Sequence, residues 1–204
     1  MTELDVLTTG LVRLAAAIAM GGVPHVVDRC TACLELPVPN GWVDELMLQS
    51  ILMVGYPRAL AAAHAWRSVA GRPAVSLEDG GDFGLQGEWV VRGEATCRTI
   101  YGENYGKLRA NVSALHPALD AWMVTEGYGR TLSRPGLDLV RRELCVIAQV
   151  TALEAERQLH SHLRGALNAG ASRAAIDAVF DAIVPDVGAL RVAKGRTLFE
   201  RIGR

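Results

Sequence analysis

The chain has 204 residues, half of them hydrophobic and 21% charged, with a formal net charge of −1. That length suffices for one large core or two small ones, and a near-neutral chain with no Lys/Arg-rich run sets aside nucleic acid and anionic lipid as partners. The first residues are acidic where a secretory leader is basic, and no stretch approaches about 18 uninterrupted apolar residues. Four cysteines in a chain this long make no disulfide framework, so the expectation is a cytoplasmic protein with free thiols.

Helical periodicity runs through most of the sequence, and no segment alternates apolar and polar residues as a half-buried strand does. The chain reads as all-α. An opening helix from Leu4 to Met20 stops at Gly21-Gly22, Pro24 starts a second that runs to Leu36, and Asn40 caps a third. Pro57 starts a helix ending near Ala70, after which Gly71-Arg72-Pro73 and the run from Glu78 to Gly84 read as a linker. Helices resume over Gly87 to Tyr101, Glu103 to Ala114 and Pro117 to Tyr128, followed by a turn on Ser133-Arg134-Pro135-Gly136. A four-helix set closes the chain: Asp138 caps the first helix, a reversal near Thr151 to Leu153 leads to the second, and Gly170 ends that one. Ser172 caps the third helix and Pro185 separates it from the last.

The two ends resemble each other. Leu11-Val12-Arg13 matches Leu139-Val140-Arg141, and Arg58-Ala59-Leu60 with Ala63 echoes Gly188-Ala189-Leu190 with Ala193, at offsets of 128 and 130. This points to two diverged helical repeats. The division expected is a degenerate first repeat over 1–70, a linker over 71–86 and a second repeat over 87–204, packed as one domain. A single repeat of this size is marginal alone, so the copies are expected to pair within or between chains.

Arg141-Arg142-Glu143-Leu144 on one helix and His160-Ser161-His162-Leu163 on the next carry the chemistry. With a reversal at Ala152, Glu143 and His162 each stand about 14 Å from the corner at 1.5 Å per residue, so they can face one another. A carboxylate beside an imidazole raises its basicity while burial opposes both charges, and such a pair suits proton transfer near neutral pH. The same spacing also suits a structural hydrogen-bonded pair.

The run Leu132-Ser133-Arg134-Pro135-Gly136-Leu137-Asp138-Leu139, then Arg142-Glu143-Leu144 and His162-Leu163-Arg164-Gly165-Ala166-Leu167-Asn168-Ala169-Gly170, resembles the carboxymuconolactone decarboxylase family. With Gly93-Glu94, Tyr101-Gly102 and Tyr128-Gly129 upstream, the resemblance spans Gly87 to Val184. It implies the helical fold shared with alkylhydroperoxidase D and a homo-oligomer, a trimer or hexamer, with a dimer as the alternative. One branch of the family drives thiol redox cycling with a Glu, a Cys-x-x-Cys pair and a His; counted from Glu143, those cysteines fall on Ala155 and Gln158, so both sulfurs are missing. The other branch decarboxylates a carboxylated lactone without cysteine, metal or organic cofactor. It implies a lyase in which His162 supplies a proton or orients the carboxylate, Glu143 holds its tautomer, and Arg134 or Arg142 offsets substrate charge.

Cys30-Thr31-Ala32-Cys33 is the rival site, for a thiol peroxidase or reductase. The peroxidase pattern carried onto it places Ile18 where the acid belongs and Pro37 where the imidazole belongs, and two thiols a helical turn apart also suit core packing. A third reading is a non-catalytic oligomeric or ligand-binding module. Among the other histidines, His25 and His116 flank prolines and read as helix-start residues, and His160 points to another face than His162, so no metal site is expected.

Overall fold

A computed structural model describes residues 3–71 and 83–203. Among them every regular element is a helix: α1 (Val6–Met20), α2 (Val23–Glu35), α3 (Asn40–Ala70), α4 (Gln86–Tyr101), α5 (Tyr105–Leu115), α6 (Pro117–Trp122), a wide π-type helix over Met123–Leu132, α7 (Leu139–Ala152), α8 (Glu156–Asn168), α9 (Arg173–Val187) and α10 (Ala189–Glu200). The fold is therefore all-α, as the periodicity required. The Gly80-Gly81-Asp82 stretch and most of the expected linker lie outside the described residues, and Phe83–Leu85 form one 3-10 turn before α4.

One compact unit joins α1 to α3 with α7 to α10; the other holds the described residues from 83 to Pro135. This grouping cuts the chain at other places than the three-part sequence division, because α7 and α9 pack on α1 and α7 packs on α3.

Within the first unit the helices recur at one offset. α1, α2 and the first segment of α3 begin at 6, 23 and 40, and α7, α8 and α9 begin at 139, 156 and 173, each 133 residues on. The caps repeat with them, as Asp5 accepts from Thr8 N and Asp138 from Arg141 N. Gly55 (φ 71°) breaks α3 where Gly188 (φ 89°) separates α9 from α10. The offsets of 128 and 130 suggested by short sequence matches are thus out of register with the helices. The helix break is also corrected: α9 runs through Pro185 to Val187, and the chain turns only at Gly188, whose left-handed backbone a residue with Cβ resists.

Helices α1 and α7 lie against each other at the centre, and each also packs on α3 and α9. Both are buried nearly all round, α1 through Leu11, Leu14 and Ile18, α7 through Leu144, Val146 and Ile147. Burial of each such side chain stabilises the fold by about 1.5–3 kcal/mol. Arg141 ties the two cap aspartates together, donating to Asp138 Oδ2 at 2.6 Å and to Asp5 Oδ2 at 2.9 Å. By length and composition α3 is apolar enough to span a membrane, but it is broken at Gly55 and carries buried Glu45, Gln49 and Ser50.

The second unit is built on a close helix crossing. A Cβ on Gly93 would stand 2.1 Å from the Val124 carbonyl oxygen, and one on Gly129 would stand 1.9 Å from that of Trp89, so α4 and the π-type helix touch backbone to backbone through two glycines.

Candidate functional site

Asp138 fixes the start of α7 and thereby puts Glu143 in its second turn, on a helix with no exposed face from Arg142 to Ala152. The chain turns through Leu153, Glu154 and Ala155, and α8 brings His162 back alongside. His162 Nδ1 and Glu143 Oε2 are 2.9 Å apart, with the glutamate side chain wholly buried and the imidazole 7% exposed. With the acid ionised, Nδ1–H donates and the ring's chemistry is left to Nε2. Glu143 Oε1 has no hydrogen-bond partner among the described residues, an uncommon state for a buried carboxylate oxygen.

The two candidate arginines have different surroundings, each within its own unit. Arg142 is fully buried, and its guanidinium is taken up inside the protein: Nη2 on Glu45 Oε2 at 2.7 Å, Nε on the Leu137 carbonyl at 2.9 Å, Nη1 on Gln49 Oε1 at 3.3 Å. Its surroundings are those of a buried ion pair between α7 and α3. Arg134 is buried at the C-terminal end of the second unit, with its N–H on the Thr131 carbonyl at 3.4 Å.

Cys30 and Cys33 are both fully buried on α2, and Cys33 Sγ donates to the Gly10 carbonyl at 3.6 Å. Burial pushes each thiol up to about 12, the wrong direction for a nucleophilic thiolate. Ala155 and Gln158, where the redox pattern needs sulfur, flank the start of α8. Among the described residues no three His, Cys, Asp or Glu side chains are grouped to hold a metal ion.

One polar cluster escaped the sequence reading. His25 Nε2 and Arg13 Nε each lie 2.8 Å from the carboxylate of buried Asp186, with Arg29 Nε at 3.9 Å. Asp186 lies 161 residues from His25, and no local pattern signals a partner that distant. Arg29 stands at the repeat position equivalent to His162, so the first repeat carries an ion-pair cluster in place of an imidazole. His116 does what its place before Pro117 suggested and accepts from Ala118 N at 3.0 Å.

Residues 117–200 match the family model of the carboxymuconolactone decarboxylase family. Among curated proteins no sequence matches the chain. The match covers α6 to α10 and includes both Glu143 and His162, while the first repeat lies outside it. Over residues 117–200 the chain is similar to the carboxymuconolactone decarboxylase family.

Proposed function

We propose that the protein is a cofactor-free carboxy-lyase acting on a small carboxylated lactone or related β-keto-type acid, with His162 as the proton carrier and Glu143 as its orienting partner. The single observation that carries this reading is the buried 2.9 Å contact between His162 Nδ1 and Glu143 Oε2. In the reaction, the bond from the ring carbon to the carboxylate breaks and carbon dioxide leaves. The electron pair passes into the conjugated carbonyl system of the substrate to give a dienolate. The imidazolium Nε2–H then protonates the dienolate carbon and regains its proton from solvent, so one proton is taken up per turnover. Glu143 stabilises the charged ring and fixes which nitrogen faces the substrate.

The raised thiols of Cys30 and Cys33 favour this reading over peroxide reduction, since neither sulfur is poised to ionise at neutral pH. The test is carbon dioxide release from 4-carboxymuconolactone by the purified protein, with the His162→Ala variant beside it. Turnover lost in His162→Ala with unchanged helical content supports the assignment. Equal turnover in both proteins refutes it, and no turnover in either points to the non-catalytic binding module. We also propose a homo-oligomer, favoured by exposed Leu48 and Leu52 before the break in α3 and Tyr56 and Leu60 after it.

A further inference from the structure

The two repeats carry cavities at equivalent places, and the differences between them separate what the fold needs from what a ligand would use. In the first repeat the cavity has a volume of about 150 Å³ and is lined by Ile18, Gly21, Val23, Val26, Arg58 and Ala61, among others. In the second it has about 500 Å³, and at those same six positions stand Thr151, Glu154, Glu156, Leu159, Arg191 and Lys194. Only the arginine is common to both. Both arginines give Nη1 to a backbone carbonyl, Arg58 to Ala19 at 2.5 Å and Arg191 to Val187 at 3.2 Å, so the contrast lies in the other positions, where the first cavity is an apolar cleft.

The second cavity holds polar groups the protein does not use up. Thr151 is 2% exposed, and its hydroxyl has no hydrogen-bond partner among the described residues, where Ile18 has nothing to satisfy. Arg191 commits only Nη1 to a backbone carbonyl, that of Val187, while its Nε is buried without a hydrogen bond and stands 3.5 Å from the Glu154 carboxylate. Lys194 reaches the same carboxylate at 2.6 Å while 61% exposed, so it is free to turn toward an incoming anion. Glu154 itself sits at φ 55°, at the position where the first repeat has Gly21 at φ 81°. A side chain kept in the left-handed region is a cost that functional sites tolerate. Arg191, Lys194 and Arg201 outnumber Glu154 and Glu156 on the lining, and Leu159, Leu198 and Ala193 supply an apolar wall. A cavity of this volume suits a small organic ligand.

We propose that this cavity between α8 and α10 is a binding site for a small organic carboxylate with an apolar body, its charge held by Arg191, Lys194 and the Thr151 hydroxyl. The site is distinct from the Glu143–His162 pair, neither member of which lines it, and it does not depend on the proposed lyase activity.

Isothermal titration of the full chain with benzoate, benzamide and inorganic phosphate tests this, using the parent and the variants Lys194→Ala, Thr151→Val and His162→Ala. Benzoate is expected to bind, with benzamide and phosphate each about tenfold weaker, because one lacks the charge and the other the apolar body. Lys194→Ala should weaken benzoate about tenfold, Thr151→Val about threefold or more, and His162→Ala not at all. Thr151→Val is close to isosteric; if it nonetheless fails to fold, the exposed Lys194 decides. No benzoate binding, phosphate binding as tightly as benzoate, benzoate affinity unmoved by Lys194→Ala, or loss of binding in His162→Ala would each overturn the proposal. The last outcome would place the ligand at the imidazole instead.

Discussion

Gly10 and Glu143 occupy the same place in the two repeats, 133 residues apart, and the space beside Gly10 is filled by sulfur and aliphatic carbon. A Cβ at Gly10 would stand 3.1 Å from Leu36 Cδ1, 3.4 Å from Val38 Cγ2 and 3.8 Å from Cys33 Sγ. The first repeat has therefore closed the position that holds the acid in the second, and Cys33 is part of the closure. The Cys-x-x-Cys that reads as a redox motif in sequence is buried in the fold.

If Glu143 orients and charges the imidazole without itself touching substrate, Glu143→Gln should retain substrate binding while lowering kcat by about 10²-fold or more, within the span of general acid–base effects. Steady-state kinetics on the carboxylated lactone separates the two parameters. A rise in KM at unchanged kcat would contradict the orienting role.

The thiols make a prediction about alkaline pH. Cys30 and Cys33 are raised by burial from the ordinary 9.0 to about 12, so folding favours their protonated forms. Their stabilising contribution is complete below about pH 9 and is lost as pH climbs through about 12, because the unfolded chain releases these protons first. Urea unfolding between pH 8 and roughly pH 11 should show the parent losing stability more steeply than a Cys30→Ala, Cys33→Ala variant. Iodoacetamide should label neither thiol in the native protein at neutral pH.

The Arg142–Glu45 pair should behave as a buried ion pair does. Arg142→Met removes the cation paired with buried Glu45, and Glu45→Gln removes the carboxylate facing the buried guanidinium; each is expected to cost about 3–5 kcal/mol in chemical denaturation. The double variant should be less destabilised than the sum of the two. If Arg142 instead held substrate, Arg142→Met would raise KM in a protein of ordinary stability.

Gly93→Ala and Gly129→Ala each place a methyl group inside a backbone carbonyl's contact radius in the crossing of α4 with the π-type helix. A loss of about 3 kcal/mol or more, or failure of this unit to fold, is expected. Gly106→Ala, with nothing within 4 Å of its Cβ, is the control and should be neutral or slightly stabilising.

The features legible in sequence were those whose causes are local. Asp138 and Ser172 announce helix starts because a cap needs only a side-chain oxygen and the next turn's N–H groups. The meeting of Glu143 with His162 was readable because 19 residues and one reversal separate them, so helix geometry alone fixes their levels. Pro185 misled because a proline near a helix end sacrifices one hydrogen bond without forcing the chain out, whereas Gly188 can adopt the left-handed turn itself. The pairing of Arg142 with Glu45 was not legible, because 97 residues separate them and no local pattern signals so distant a partner. The repeat was legible in kind and missed in register, since Ala-rich helices offer many three-residue coincidences while the defining marks are caps and glycines.

The pairing of α1 with α7 sets how this molecule can change. In an assembly of identical single-repeat chains, every substitution at such a contact appears on both sides of the axis at once, so neither partner can specialise. Here the two sides are encoded separately, and a change at Gly10 leaves Glu143 untouched. One half is free to serve as permanent scaffold, and the count of acid–imidazole centres follows the number of chains, not the number of helical units.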